Sequence, residues 1–141
     1  MVLLLAGCGG AARIDAGETS LECVPFARAE SGITLYGDAA DWWDEAAGRY
    51  PRGAIPAPGA VLVFARTGRL QHGHVSVVTA VRGPRDITVD HANWVVGRVG
   101  RDEAVRDVSD DNDWSAVRVW WAPSGTLGAR IYPAHGFVGP P

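Results

Sequence analysis

A glycine-led apolar strand and its hairpin partner form the part of the sequence that decides the fold. The stretch reads Gly73-His-Val-Ser-Val-Val-Thr-Ala-Val81, then Arg82-Gly-Pro-Arg-Asp86, then Ile87-Thr-Val-Asp-His-Ala-Asn-Trp94. The outer runs are rich in β-branched residues, and the central run contains glycine and proline, which is typical of a turn. The sequence therefore predicts two antiparallel strands joined at residues 82–86.

Further strands are predicted on both sides of this hairpin. Ala60-Val-Leu-Val-Phe64 is a short apolar run before it, and Ser115-Ala-Val-Arg-Val-Trp-Trp121 is another run after it. Residues 97–113 are polar and charged with only a weak valine repeat, and no strand is predicted there. Residues 123–141 are rich in glycine and proline, so we expect them to wrap the surface.

Two helices are predicted upstream of the strands. Phe26-Ala-Arg-Ala-Glu30 is a run of helix formers that follows Pro25 and ends near Gly32, so a short helix should begin at about Cys23. Residues 39–49 are expected to form a second helix with one apolar face. Helices first and strands afterwards favour an α+β domain with an antiparallel sheet.

The composition describes a globular chain with no sign of a nucleic-acid partner. The chain has 141 residues, of which 47% are hydrophobic and 21% are charged, and this length suits one domain. All 13 of the Lys+Arg residues are arginine, and the net charge is −3. No basic block occurs, which argues against binding to nucleic acid.

The first eight residues join an apolar run to small residues and a cysteine. Leu5-Ala-Gly-Cys8 resembles the lipobox of bacterial lipoproteins, and this resemblance implies export, cleavage before Cys8 and lipid attachment to it. The run is too short to span a bilayer as a helix. We expect residues 1–18 to be a signal remnant and tether, residues 19–141 to be the functional domain, and membrane contact to occur only through the lipid.

Cys23 is the candidate nucleophile. With Cys8 assigned to the processed segment, Cys23 has no partner, and an unpaired cysteine in an exported protein suggests a reactive thiol. The start of a helix offers free backbone N–H groups and the positive end of the macrodipole, which lower a thiol pKa and can hold an oxyanion. The alternative is that Cys23 is simply a small buried apolar residue.

His74, His91 and Asn93 could supply the partners that a thiol nucleophile needs. A base must take the thiol proton, and a third group must orient the base. His74 begins one strand of the hairpin, and counting back along the hairpin places it opposite residues 91–94. Because strand side chains alternate, His91 and Asn93 are expected on one face, and the register decides which of them meets His74.

This order of a cysteine on the first helix, a histidine on a strand and a polar residue on the next strand resembles the CHAP family of cysteine- and histidine-dependent amidohydrolases and peptidases. The segments that carry the resemblance are Glu22–Arg28, Pro58–Phe64, Gly73–Val78 and Val89–Trp94. The resemblance implies a papain-like (NlpC/P60-type) fold, with N-terminal helices packed on an antiparallel β-sheet. Where the family usually has Glu-x-Asn, this sequence has His91 and Asn93. The NlpC/P60 relatives use a second histidine, which favours His91.

The resemblance also implies a function, namely a cell-wall amidohydrolase or endopeptidase that cuts an amide bond of peptidoglycan without a cofactor. Cys23 would attack the carbonyl, His74 would act as base and then as acid, and His91 or Asn93 would orient His74. Candidate substrate contacts are Trp42, Trp43, Trp94 and His72, although tryptophan is more commonly buried. We expect a monomer in the bacterial cell envelope.

Two other function classes stay open. One is a catalytically inactive cell-wall or glycan-binding module of the same fold. Its sugar contacts would be Trp42, Trp43, Trp94, Trp120 and Trp121. The other is a metal-binding envelope protein that uses His72, His74 and His91 with Cys23. The intact Cys/His pair argues against the module, and the lack of HEXXH or paired-cysteine signatures argues against the metal site.

Overall fold

The computed structural model describes residues 22–141. Helix α1 spans Cys23–Ser31, a 3-10 turn spans Ala39–Asp41, and helix α2 spans Trp42–Glu45. The strands are β1 (Arg52–Gly53), β2 (Val61–Phe64), β3 (His74–Gly83), β4 (Asp86–Ala92), β5 (Val99–Asp107), β6 (Ala116–Trp121), β7 (Thr126–Leu127) and β8 (Tyr132–Val138). Within residues 22–141, neither helix has the length and apolar character needed to cross a membrane.

Six of the strands form a closed antiparallel barrel. Their order is β8-β2-β3-β4-β5-β6, and β6 pairs again with β8 to close the ring. The two-residue strands β1 and β7 add short pairings to β8 and β6. The described part of the protein is therefore mostly β.

The predicted α+β, papain-like (NlpC/P60-type) fold is wrong. Strands β5 and β8 lie in segments for which no strand is predicted, and β8 pairs with both β2 and β6. The sheet closes because β8 is present. The predicted helix over residues 39–49 reduces to a 3-10 turn and the four residues of α2. The helical part is thus a small cover on a barrel, not a layer of its own.

Alternation of side chains along the strands creates two cores. Leu62 and Phe64 of β2 belong to the cluster inside the barrel. Val61 and Val63 belong to a second cluster, which they share with Trp42 of α2. Strand β2 is therefore buried on both faces, which explains its unbroken apolar sequence.

Helix α1 lies on the outside of the barrel wall, against β3 and β4. Its residue Ala27 is fully buried in the second core, and Cys23 and Val24 pack against that core. Gly32 ends the helix at a φ of 77°, and its N–H donates to the carbonyl of Arg28. Glycine adopts this left-handed cap without strain. The helix thereby holds Cys23 against the beginning of β3.

We expect Gly73→Ala to destabilise the protein strongly. Gly73 precedes β3 with a φ of 74°, and an added Cβ would lie 2.6 Å from the carbonyl oxygen of Phe64 and 2.7 Å from the Cβ of Ala40. Strain and overlap together should lower the free energy of unfolding by about 2–4 kcal/mol, measured by urea denaturation. Gly48→Ala is the matched control, because Gly48 has a φ of 75° and no neighbour within 4 Å. Equal losses in the two variants would contradict the role given to the overlap.

Candidate active site

A groove of about 710 Å³ opens between the start of α1 and the start of β3. Its volume is in the range of small-molecule sites. The predicted site residues in its wall are Cys23, His72, His74, Asn93 and Trp94. The fold therefore brings the candidate nucleophile and the candidate base into one cavity.

Cys23 is the first residue of α1, and Glu22 is the N-cap. Burial raises the pKa of the Cys23 thiol, and the carboxylate of Glu22 adds to the rise. The backbone N–H groups of Val75, Cys23 and Val24 act in the opposite direction. The expectation of a lowered thiol pKa is therefore wrong for this arrangement, because burial outweighs the helix N-terminus.

His74 is the buried first residue of β3, where it pairs with Phe64 of β2. The Phe64 ring meets it edge-on with centroids 5.3 Å apart, and the Trp94 ring lies tilted at 4.9 Å. Burial holds the pKa of His74 well below its ordinary value, and His91 lowers it further. The imidazole is therefore neutral, with one ring nitrogen unprotonated.

His91 meets His74 inside the barrel. Its Nδ1 atom is 3.0 Å from Nε2 of His74 and 2.9 Å from Oγ of Ser76. The His91 ring also stacks on Trp94, with centroids 5.8 Å apart and planes at 15°. The second histidine thus contacts the first directly, in the position that an orienting residue would need.

A register shift in the β3–β4 hairpin puts His74 and His91 on the same face. The pairing shifts by one residue beyond Val78. Continuing from there brings His91 opposite Ser76, on the same face as His74. The extra residue lies in β3, between Val78 and Ala80, whereas β4 alternates without a break. Without it, the His74 side chain would lie on the other side of the barrel wall from His91.

Asn93 lies in the turn after β4, because the strand ends at Ala92. Its φ is 66°, and its Oδ1 accepts a hydrogen bond of 2.7 Å from the N–H of Gly97. The prediction that His91 and Asn93 share a strand face is therefore wrong. The amide of Asn93 stabilises its own turn, while His91 occupies the place beside His74.

The predicted substrate contacts separate into two groups. Trp94 and His72 line the groove, and Nδ1 of His72 lies 3.2 Å from a carboxylate oxygen of Asp38. Trp42 is fully buried in the second core, so its predicted contact with substrate is wrong because no part of its ring reaches solvent. Trp43 stacks on a histidine of β8 outside the groove.

The three histidines of the metal-binding alternative do not converge. His74 and His91 face each other inside the barrel, whereas His72 points to Asp38 at the groove. Across residues 22–141, no group of three or more His, Cys, Asp or Glu side chains is arranged to hold a metal ion. The predicted lipidation site, Cys8, lies outside the described residues.

One residue of the site, Glu103 of β5, is not among the sequence predictions. Its Oε1 lies 3.0 Å from Nε2 of His91, so His91 has a polar partner at each ring nitrogen. The only signal for a strand in this charged segment is a weak valine repeat, which does not specify pairing. Nothing in the sequence alone therefore places Glu103 next to His91.

We expect the protein to lose stability below about pH 6.5, because His74 must stay uncharged in the fold. The unfolded histidine titrates near pH 6.5 and the folded one lower, so stability is complete above that pH. It should then fall by about 1.4 kcal/mol per pH unit towards the folded pKa. Urea unfolding at about pH 7.5 and about pH 5 measures the loss. An equal loss in His74→Gln, which cannot titrate here, would assign the effect to other groups.

Comparison with known proteins gives a family match that covers most of the groove. A family model described as CHAP domain matches residues 14–93, which is more than half of the chain. The matched range contains Cys23, His74 and His91 and ends before Glu103. No curated protein matches the chain. CHAP domains are usually hydrolases, and the match suggests an activity of the peptidoglycan hydrolase or amidase kind. With most of its length matched and the cysteine and histidine facing one groove, the chain belongs to the CHAP domain family.

Proposed function

We propose that the protein is a cysteine hydrolase that cuts an amide bond of peptidoglycan. The observation that carries the proposal is the contact between His74 and His91 directly behind the groove that Cys23 lines. A thiol, a base and a group that orients the base are the parts that covalent amide hydrolysis needs. The family match supports the substrate class.

The hydrogen bond between the histidines decides which nitrogen of His74 is the base. In the proposed mechanism, Nε2–H of His74 donates to Nδ1 of His91. A neutral imidazole carries only one N–H, so Nδ1 of His74 is then an unprotonated acceptor. This atom takes the proton of the Cys23 thiol.

The resting pair is neutral, because burial raises the pKa of Cys23 and lowers that of His74. The proton therefore moves to His74 as sulfur attacks the carbonyl carbon and the new C–S bond forms. The backbone N–H of Cys23 holds the developing oxyanion. His74 then protonates the leaving amine as the C–N bond breaks, and a water activated by His74 hydrolyses the thioester.

The groove carries charges of both signs near the nucleophile. Arg28 and Arg69 lie in its wall together with Glu22. Guanidinium groups bind carboxylates in a bidentate geometry, and a carboxylate binds an ammonium group. A peptide that bears both free carboxylates and amino groups, as the stem peptides of peptidoglycan do, fits this wall.

Digestion of purified sacculi followed by mass spectrometry tests the proposal. We expect soluble fragments with a new amine and a new carboxyl group at one class of amide bond. Treatment with iodoacetamide should stop their release, because alkylation blocks the sulfur that attacks the carbonyl. Continued release after complete alkylation of Cys23, or fragments with new sugar ends only, would refute the proposal.

We also propose that the protein is exported and anchored by a lipid on Cys8. The support is the Leu5-Ala-Gly-Cys8 motif, which follows an apolar run. A peptidoglycan substrate lies outside the cytoplasm, so export is consistent with the proposed activity.

A further inference from the structure

A β-bulge in β5 brings Glu103 to the side of His91. Glu103 pairs with Val89, and Gly100 pairs with His91, so β5 uses one residue more than β4 over this interval. The backbone at Asp102 has a φ of 51°. Bulges of this kind bend a strand and redirect side chains, often beside a functional site.

Asp90 holds the bulge in place. Its Oδ1 accepts a hydrogen bond of 2.8 Å from the N–H of Asp102, and its Oδ2 accepts one of 2.9 Å from Arg101. Arg101 also donates to Glu30 of α1 at 2.7 Å. The bulge is thus tied to both β4 and the helix that carries Cys23.

Gly100 provides the space that the carboxylate of Glu103 occupies. A Cβ built on Gly100 would overlap the carboxyl group of Glu103. Side chains normally alternate between the faces of a strand, and the extra residue brings positions 100 and 103 to the same face. Only a residue without a side chain at position 100 leaves this path to His91 open.

The resulting hydrogen bonds form a chain with a defined direction. Oε1 of Glu103 is 3.0 Å from Nε2 of His91, and Nδ1 of His91 is 3.0 Å from Nε2 of His74. A carboxylate can only accept, so His91 donates from Nε2–H. Its Nδ1 is then a lone pair that accepts from Nε2–H of His74.

We propose that Glu103 is a positioning residue, whose carboxylate fixes the tautomer of His91 and, through His91, that of His74. The catalytic consequence rests on the proposed function, because it is the free Nδ1 of His74 that takes the thiol proton. The tautomers themselves do not depend on any activity.

Ser76 is the reason that the carboxylate is needed. Its buried Oγ lies 2.9 Å from the same Nδ1 of His91, and a hydroxyl can donate or accept. Without Glu103, His91 could carry its proton on Nδ1 and donate to Ser76. It could then no longer accept from His74. Glu103 removes this alternative because it draws the His91 proton to the other nitrogen.

The hydrogen-bonded series from Glu103 to His74 is buried at His91 and reaches solvent at Glu103. The side chain of His91 is 0% exposed and that of Glu103 is 16% exposed. Glu103 borders a crevice of about 40 Å³, which Arg98 and Trp94 also line. This partial exposure leaves the remaining lone pairs of the carboxylate open to solvent, which limits the cost of burying its charge.

Heteronuclear NMR of histidine-labelled protein tests the tautomers directly, because the ring nitrogen shifts differ between Nδ1–H and Nε2–H forms. In the wild type we expect His74 and His91 both as Nε2–H. In Glu103→Ala we expect His91 to move to the Nδ1–H form. Glu103→Gln keeps an acceptor oxygen at this place and should keep the wild-type tautomer.

The kinetic readout is kcat on sacculi. Glu103→Ala should lower kcat by roughly 10- to 100-fold with little change in KM, as expected for the loss of a supporting partner of a site residue. Glu103→Gln should recover most of this loss. A purely structural role would not produce such a rescue together with a change of tautomer.

One control variant and a second test variant complete the experiment. Asp86→Ala breaks the exposed ion pair with Arg106 at the other end of the hairpin, and it should change neither tautomer nor kcat. Gly100→Ala keeps the carboxylate but displaces it from His91, so it should behave like Glu103→Ala, and it replaces that variant if Glu103→Ala does not fold.

The outcomes separate this inference from the proposed function. An Nδ1–H form of His91 in the wild type, or an unchanged tautomer in both Glu103→Ala and Gly100→Ala, overturns the role of Glu103 even in an active enzyme. The expected tautomers in a protein that does not cut sacculi would refute the proposed function and support the role of Glu103.

Discussion

Replacing Cys23 with serine is expected to abolish hydrolysis of peptidoglycan while the protein stays folded. Serine is nearly the same size as cysteine, so the packing of α1 on the second core is preserved. A hydroxyl is much less acidic than a thiol, and burial at this position already raises the pKa of the thiol. We expect a loss of roughly 10⁶-fold in kcat, similar to that for removal of a serine-protease nucleophile.

Release of soluble fragments from sacculi measures this effect. The urea midpoint of Cys23→Ser should lie close to that of the wild type, which shows that the loss is chemical. Cys23→Ala should be equally inactive. Activity above about one hundredth of the wild type in either variant would show that another group attacks the substrate.

The second large effect distinguishes His91 from Asn93. His91→Ala leaves the buried Nε2–H of His74 without its acceptor, so the base loses both its orientation and its tautomer. We expect kcat to fall roughly 10⁴-fold, as in serine-protease triads that hold the wrong tautomer. Steady-state kinetics on sacculi fragments measures this loss. Leucine fills more of the volume of the imidazole than alanine does. His91→Leu should therefore be as inactive as His91→Ala, which would show that the cavity left by alanine does not cause the loss of kcat.

Asn93→Gly is the matched variant for this comparison. Glycine adopts the φ of 66° at this position without strain, so only the bond from Gly97 to the amide is lost. We expect kcat within a few-fold of the wild type. An inactive Asn93→Gly beside a nearly normal His91→Ala would reassign the third role to Asn93, in a Cys/His/Asn arrangement.

The part of the fold that could be predicted is the part with local signals. Strands β2, β3, β4 and β6 each carry an apolar β-branched run, and α1 has Pro25 near its start and Gly32 at its end. Strand β8 contains Pro133 and Gly136, which weaken any local pattern. Its pairing comes from β2 and β6, both distant in sequence, so barrel closure is not visible in any single segment.

The site residues also divide into those that have a local sequence signal and those that depend on the pairing of strands. Cys23 and His74 could be predicted because each stands at the start of an element that the sequence marks. The contact between His74 and His91 depends on one extra residue in β3, between Val78 and Ala80, which changes the strand face on which His74 lies. The contact of Glu103 depends on a second irregularity, at Asp102. Register changes of one residue leave little trace in a single sequence.

Strand β8 also determines when the barrel can close. It follows all other barrel strands along the chain, yet its partner β2 comes soon after the helices. During synthesis the ribosome therefore releases β2 well before the strand that closes the barrel beside it. Chains whose contacts join distant segments fold slowly. Until residue 138 has been made, the edges of β2 and β6 that pair with β8 therefore stay unpaired, and the barrel wall stays open.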